Sequence, residues 1–421
     1  MIGRLDNDFL DKIDDLFKKV DFLNETDEFI FDVIVKAYEY CFLNGGGSTY
    51  LFKICQIYTR RYKGIHKDVE RISLIALRNN DHPDAVVYYC LAVIHNYGRE
   101  EAMEKLAEAQ NYCTNKNTKA LILVFEATLY WRNGDFGKYV SLLKTFFNEK
   151  DQNFNPYMAI PCSTVWLNGE SPKNLVIDKS GKLYQCFENS NHKEIINCND
   201  SVDYIVSISC DSKYFEIYNK YIIESLSFTG DNFICFVTIS DTLSSVPNGY
   251  DNRFVFNQLD LERSGNIGPI SSALRYLAAS KVRNFSDKPI VVMDFDCVIK
   301  GSLIPLIEAH KDKTMALRFL EKQQCLPWQH ITAGFGIFYC NEISNEFLST
   351  IEAFLYHSLT LDGEQWWVDQ NSLEVAGRFV SMNKVSNLFH DLPMYTVIPT
   401  GSQNSKLTRL SNALQSIKFE N

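Results

Sequence analysis

Two periodicities divide this chain. From Phe9 to Phe147 apolar residues recur every three to four positions among acids and lysines, the spacing of one buried helix face. Phe9, Ile13, Leu16 and Val20 mark a first helix. Phe29 to Leu43 predicts a second, stopped by Asn44-Gly45-Gly46-Gly47, and Tyr50 to Tyr62 and Val69 to Arg78 a third and fourth. Ala85 to Asn96, Tyr97-Gly98 and Glu100 to Tyr112 then form a helix, turn, helix unit. The pattern returns as Ala120 to Arg132, Asn133-Gly134-Asp135 and Phe136 to Phe147. After Val202 the pattern changes to short apolar runs rich in β-branched residues. Asp203 to Ser209 and Phe233 to Ile239 read as strands, and Pro289 to Ile299 as a strand buried on both faces. Phe215 to Leu226 and Ile270 to Val282 read as helices, so strand, helix, strand implies a right-handed crossover and a parallel pair.

Between the halves, Pro156, Pro161, Asn168-Gly169 and Pro172 punctuate short apolar pieces, with His192 in a polar, surface-like stretch. Asn174 to Asp178, Ser180-Gly181 and Lys182 to Cys186 predict a small hairpin. The expected division is 1–150 helical, 151–200 a linker with a small β extension, and 201–421 an α/β domain. The formal net charge of −10 argues against a general nucleic-acid binder. The longest apolar run, Ala120 to Trp131, contains Glu126 and is too short for a bilayer. The first residues lack a basic segment followed by an apolar core, so no signal peptide is expected. The 12 cysteines include no Cys-x-x-Cys pair, which fits reduced thiols in a cytoplasm. At the C-terminus Leu407, Leu410, Leu414 and Ile417 keep helical spacing beside Lys406, Arg409 and Lys418. Packing on the α/β domain is the favoured reading of that helix; peripheral contact with an anionic membrane is the other.

The chemistry concentrates where the run Ile290-Val291-Val292-Met293 meets Asp294-Phe295-Asp296. Residues two apart on an extended strand share a face, so both carboxylates can reach one site. The carboxyl edge of an open α/β sheet is where ligands bind. Two hard oxygen ligands there suit Mg²⁺ or Mn²⁺ bridging to phosphates.

Several stretches resemble known families. Ala127-x-x-Tyr130-x-x-x-Gly134-Asp135 resembles the tetratricopeptide repeat, although Gly98 to Gly134 is slightly longer than the usual repeat of about 34 residues. Such solenoids commonly bind a partner on their concave face. Asp294-Phe295-Asp296-Cys297-Val298-Ile299 resembles two families. One is the nucleotide-sugar glycosyltransferases of the GT-A fold, in which Asp-x-Asp holds a metal against the sugar diphosphate. The other is the haloacid-dehalogenase-like phosphatases, in which Asp294 would be the nucleophile. The phosphatase motif opens its domain and continues into Gly, whereas Cys297 stands here after a long α/β segment.

The stretch from Val202 is similar to the start of bacterial lipopolysaccharide galactosyltransferases and glycogenin. That resemblance implies a Rossmann-like mixed sheet, puts Asp211 and Tyr214 at the nucleotide base and ribose, and matches Ser225-Leu226 to the Ser-Leu that ends the family's first helix. It implies Arg275, and less securely Lys281, facing the donor with a fork of donors for the diphosphate or sugar. Thr332-Ala333-Gly334 is similar to the family's Asn-Ala-Gly strand with Thr332 in place of Asn; Gly there lets backbone approach the sugar. Asp369-Gln370 resembles the second acidic motif, with Asp369 on the donor sugar and Gln370 near the anomeric carbon. Trp366 and Trp367 suit a sugar-stacking wall or a core. His390 stands for the third metal ligand and Lys406 for the phosphate-binding Lys, at spacings that depart from the family's motif. The function implied is a metal-dependent hexosyltransferase using Mn²⁺ or Mg²⁺. It would move sugar from a nucleotide-sugar, a UDP-sugar by resemblance, to a glycan, lipid-linked or protein acceptor with retention. If the reaction inverts, Asp369 is the candidate base. A phosphatase using Asp294, and a non-catalytic repeat scaffold, are the alternatives.

Overall fold

The computed structural model describes residues 7–19, 28–61, 67–154, 172, 175, 177–188, 202–243, 252–261, 267–359, 367–399 and 403–420. The chain divides into two compact units, Met1–Ile160 with Lys322–Gln324, and Pro161–Glu321 with Cys325–Asn421.

The first unit is helical: α1 (Asn7–Lys19), α2 (Glu28–Leu43), α3 (Ser48–Arg61), α4 (Lys67–Asn79), α5 (Pro83–Asn96), α6 (Arg99–Gln110), α7 (Lys116–Arg132) and α8 (Phe136–Glu149). Each helix predicted from the apolar period is present. Its breaks follow turn chemistry. Gly134, at a φ of 78°, turns the chain between α7 and α8, and Asp135 then accepts a hydrogen bond from Lys138 N to cap α8. Contacts recur at a repeat's spacing. Thr114 N donates to Asp81 Oδ2 across 33 positions. Asn117 Nδ2 donates to Asp151 Oδ2 across 34. Successive helix pairs are thus pinned at corresponding turns.

The second unit is built on a mixed sheet. Its strands are β1 (Tyr204–Cys210), β2 (Phe233–Ile239), β3 (Phe254–Gln258), β4 (Ile290–Met293), β5 (Val298–Ile299), β6 (Met315–Phe319), β7 (Ile331–Phe338), β8 (Val385–Asn387) and β9 (Thr396–Val397). Seven of them form one sheet in the order β3-β2-β1-β4-β7-β6-β8, while β5 and β9 pair separately. β1 to β4 are mutually parallel; β7 runs antiparallel to both β4 and β6, and β8 parallel to β6. One edge of the sheet therefore gathers the carboxyl ends of β1, β2, β4, β6 and β8 with the start of β7.

Helices cover both faces: α9 (Lys182–Glu188), α10 (Ser212–Ser227), α11 (Ile267–Arg283), α12 (Ile304–Ala309), α13 (Glu342–Ser358), α14 (Val368–Phe379), α15 (Leu392–Tyr395) and α16 (Gln403–Glu420). Alternation along β4 shows why its apolar run is continuous. Ile290 and Val292 enter the core shared with α11, α13 and α14, while Val291 and Met293 enter the opposite core shared with α10 and α16. Leu410, Leu414 and Ile417 of α16 are buried in that second core.

One expected element is replaced. Lys182 to Cys186, read as the second strand of a hairpin, lies in α9. The turn is where Ser180-Gly181 predicts it, but Asp178 Oδ1 accepts from Ser180 N at 2.9 Å and Gln185 N donates to Gly181 O at 3.1 Å, which starts a helix. Leu183, Cys186 and Phe187 then recur at three and four, and this face packs on the α11 side of the sheet. Asn174 and Val176 of the first half of that hairpin, with Asn168-Gly169 and His192, lie outside the described residues, as do Asp362 to Trp366.

Candidate active site

A cavity of about 780 Å³ opens at the carboxyl edge, lined by Asp211, Tyr214, Arg275, Asp294, Asp296, Trp367, Asp369, Gln370, Ser209, Ser271, Ile398, Pro399 and Lys406 among others. Asp211, Tyr214, Arg275, Asp294, Asp296, Asp369, Gln370 and Lys406, all singled out from the sequence, meet here. His390 does not line it. It is exposed in the turn after β8, with its ring edge-on to Phe389 at 5.2 Å.

Arg275 is the centre. Its guanidinium side chain is 3% exposed, and Nη2 reaches Asp294 Oδ1 and Asp369 Oδ2, each at 2.9 Å, and Ala333 O at 3.2 Å. In place of an open fork towards a diphosphate, the structure has a clamp between two carboxylates. Tyr276 OH holds the same Ala333 carbonyl at 2.8 Å. The α11 backbone is pegged to β1: Ser207 Oγ donates to Arg275 O at 2.7 Å, and Arg275 N donates to Ser209 Oγ at 3.0 Å. Ser209 Oγ in turn donates to Ser271 O at 2.6 Å. Small residues at the end of β1 thus let α11 approach and carry Arg275 under the strand edge. Burial works against the Arg275 charge, but Asp294 and Asp369 outweigh it and hold it protonated.

Asp294 continues from β4, its N donating to Gly334 O at 2.9 Å. Gly334 lies so close beneath its carboxylate that a Cβ there would push it aside. The sequence reading assigns this glycine to the sugar; it makes room for Asp294. Thr332 Oγ1 points to Arg318 O at 3.4 Å.

Asp296 turns towards the other helical layer. Its Oδ2 accepts from Tyr214 OH at 2.7 Å and from Lys406 Nζ at 2.6 Å. The Tyr214 hydroxyl therefore serves Asp296, where the resemblance puts the ring against a base. Burial raises the Asp296 pKa, and neighbouring Asp294 adds to the rise against the pull of Lys406. Lys406 rides on the first turn of α16, whose apolar anchors explain how a residue over a hundred positions away reaches the site.

Asp211 caps α10, accepting from Tyr214 N at 2.7 Å. Ser225 and Leu226 lie away from the cavity: Ser225 Oγ accepts from Ile299 N at 3.0 Å, and Leu226 is core. Lys281 donates to Phe187 O, away from the donor side.

Trp367 precedes α14 at a φ of 70°, a left-handed conformation that disfavours a bulky residue. This turn brings Asp369 and Gln370 to the helix start, where exposed N–H groups favour a carboxylate. Gln370 N donates to Asp369 Oδ1 at 2.8 Å, and Gln370 Nε2 to Trp328 O at 3.0 Å. The amide is fixed through its nitrogen, which leaves its carbonyl oxygen as the group for a ligand. Burial raises the Asp369 pKa, with Arg275 opposing.

The donor set fits a hard divalent cation on two carboxylates. Arg275 takes Asp294 Oδ1, and Tyr214 and Lys406 share Asp296 Oδ2, so one oxygen of each carboxylate is uncommitted. Among the described residues no group of three or more His, Cys, Asp or Glu side chains is placed to hold a metal. Further ligands would be water and substrate oxygens, as is usual for Mg²⁺.

Two structural residues carried no local sequence signal. Asp241 accepts from Ser212 N and Oγ at 2.6 and 2.7 Å, and Asp231 accepts from Tyr204 OH and Leu303 N, each at 2.8 Å. Their partners lie 27 to 72 positions away.

No protein-family model matches this chain and no curated protein matches it. Among solved structures it is similar to the apo structure of the WbbM bifunctional glycosyltransferase, at 14% identity and a TM-score of 0.31, covering 51% of this chain and 45% of that one. It is also similar to the glycosyltransferase GlyE of Streptococcus pneumoniae TIGR4, at 10% identity and a TM-score of 0.33, covering 52% of this chain and 64% of that one. The chain thus spans less than two thirds of either neighbour. At these scores, function has to be read from the site itself.

Proposed function

We propose that the second unit is a GT-A-type glycosyltransferase that moves a sugar from a nucleoside-diphosphate sugar, a UDP-sugar by the resemblance of its motifs, to an acceptor hydroxyl. The observation that carries this is the arrangement around Arg275. Asp294 and Asp369 are held on one guanidinium at the mouth of a cavity large enough for a nucleotide-sugar, with Asp296 and Lys406 beside them.

Asp294 and Asp296 would hold Mg²⁺ or Mn²⁺ through their uncommitted oxygens. When bound, that cation offsets the charge that builds on the diphosphate as it leaves. Lys406 supports the same charge from α16. Arg275 fixes the two carboxylates in place, and Asp369, clamped by Arg275 and capped by its own helix start, orients the donor sugar. The Gln370 carbonyl, aimed by the Trp328 contact, lies where a cationic sugar ring gains from a partial negative charge. Both Asp369 oxygens are engaged, which suits an orienting group better than a base and agrees with retention. Trp367 forms part of the wall. The helical unit, with contacts recurring at 33 and 34 positions, supports a tetratricopeptide-like array that would select the acceptor or a protein partner.

Hydrolysis of a panel of sugar nucleotides, with and without Mn²⁺, tests this reading. Slow metal-dependent hydrolysis is expected, with Asp294→Asn and Asp296→Asn falling by orders of magnitude while thermal unfolding stays cooperative. Full activity in EDTA would defeat metal dependence. A phosphoaspartate at Asp294, with phosphate released from an aryl phosphate, would replace it with the phosphatase reading.

A further inference from the structure

We propose that Arg318 and Phe389 form an acceptor subsite for an anionic saccharide, a sugar bearing a carboxylate or a phosphate, beside the reaction centre. This rests on the glycosyltransferase reading and names the acceptor's class.

The position follows from register. Arg318 pairs with Thr332 in the β6–β7 ladder, at a bulge after Leu317. The next residue, Ala333, carries the carbonyl held by Arg275 and Tyr276, and Gly334 lies under Asp294. Arg318 is thus two strands from Asp294 along the same sheet edge, about 10 Å at the usual strand spacing.

Its chemistry is unfinished. Among the described residues the Arg318 guanidinium has no carboxylate partner and no hydrogen bond; its contact is the Phe389 ring, 5.4 Å from the centroid. The other half-buried or buried arginines of this edge and of α14 differ. Arg275 binds two carboxylates, and Arg378 is paired with Glu374. Burial lowers the Arg318 pKa, and among the described residues no acid restores it. A partly desolvated cation without a counter-ion is unfavourable until an anion arrives. Stacking on the ring orients the planar group and leaves its donor edge for a carboxylate or phosphate fork.

Phe389 supplies an apolar face. It is 38% exposed, high for a large aromatic residue. Its backbone is held in place: Asn387 Oδ1 accepts from both Phe319 N and Phe389 N at 3.0 Å. An exposed ring beside an unpaired guanidinium matches a ligand with one hydrophobic sugar face and one anionic substituent. A simple anion would have no use for the ring, and a neutral glycan none for the cation.

Ligand-observed NMR on the full chain with UDP and Mg²⁺ present would test this, using glucose 6-phosphate, glucuronate, glucose and inorganic phosphate as probes. The native protein is expected to bind the two charged sugars at least tenfold more tightly than glucose or phosphate. Arg318→Gln should remove that preference and leave glucose unchanged; Arg318→Lys, which keeps the charge without the fork, should fall between. Phe389→Ala should weaken all three sugars. Equal binding of charged and neutral sugars by the native protein, unchanged binding in Arg318→Gln, or phosphate binding as tightly as glucose 6-phosphate would overturn the proposal. UDP affinity in the same samples reports separately on the donor site. Failure of the sugars with UDP binding intact would sink the acceptor assignment alone.

Discussion

Asp294 rests on Gly334: a Cβ built at position 334 would stand 2.8 Å from Asp294 Oδ2. The antiparallel neighbour of β4, β7, therefore shapes the carboxylate's position. Gly334→Ala should displace that carboxylate from Arg275, lowering donor turnover about a hundredfold. The stability loss should be about 1 to 3 kcal/mol, as for other overpacked sites. Turnover measured beside thermal unfolding checks both. Wild-type turnover in the alanine variant would show that the carboxylate position is not needed.

Arg275→Lys keeps the charge but not the three-way contact. One ammonium cannot reproduce the planar approach to Asp294, Asp369 and Ala333 O from a buried position. Breaking such a pair in a buried site costs about 3 to 5 kcal/mol. The variant should unfold at lower temperature and lose activity through kcat more than through KM. An unchanged melting temperature would mean that the clamp contributes little to the fold.

The acid limb of activity should lie above the ordinary carboxylate range. Burial, then Asp294, raises the Asp296 pKa, and burial raises that of Asp369. Falling pH protonates Asp296 early, so cation and donor binding are lost first as pH drops through the raised value. Stability moves the opposite way. A carboxylate with a raised folded pKa favours folding at low pH, and that contribution disappears as pH rises through the folded value. Donor turnover and unfolding free energy followed from pH 4 to 7 should show opposite slopes in the same window. Parallel slopes would contradict the assignment.

Trp367 sits in the left-handed region, where a non-glycine residue costs about 1 to 2 kcal/mol. Trp367→Gly should relieve that strain, so stability is expected to hold or rise slightly while the apparent KM for the nucleotide-sugar increases. A fall in stability with KM unchanged would make Trp367 a packing residue rather than a wall of the cavity.

The residues themselves explain which features could be read in advance. Helices α2 to α8 and strands β1, β2 and β4 rest on local periodicity, and their apolar runs are long enough to decide. The meeting of Asp294, Asp369 and Lys406 was suggested by motif order. Their actual partners were not legible, because Arg275 and Asp294 come together through Ser207, Ser209 and Gly334, which look like ordinary small strand residues. The hairpin expected at residues 174–186 failed for a related reason. The apolar spacing of Leu183, Cys186 and Phe187 fits a helix face, but only the sheet they pack on decides between the two. Asp231 and Asp241 resemble surface acids until residues far away in sequence, Tyr204 of β1, Leu303 before α12 and Ser212 at the start of α10, supply their donors.

The walls of the cavity include four carboxylates, Asp211, Asp294, Asp296 and Asp369, against two cations, Arg275 and Lys406. A nucleoside diphosphate arriving alone meets a field of its own sign. Any anion retained there has to bring positive charge with it, and each of the two then raises the affinity of the other by the same factor. On the proposed reading the field draws in the cation first, and the bound cation makes the site receptive to the diphosphate. On that reading the apparent donor affinity would rise with cation concentration rather than be a constant of the protein.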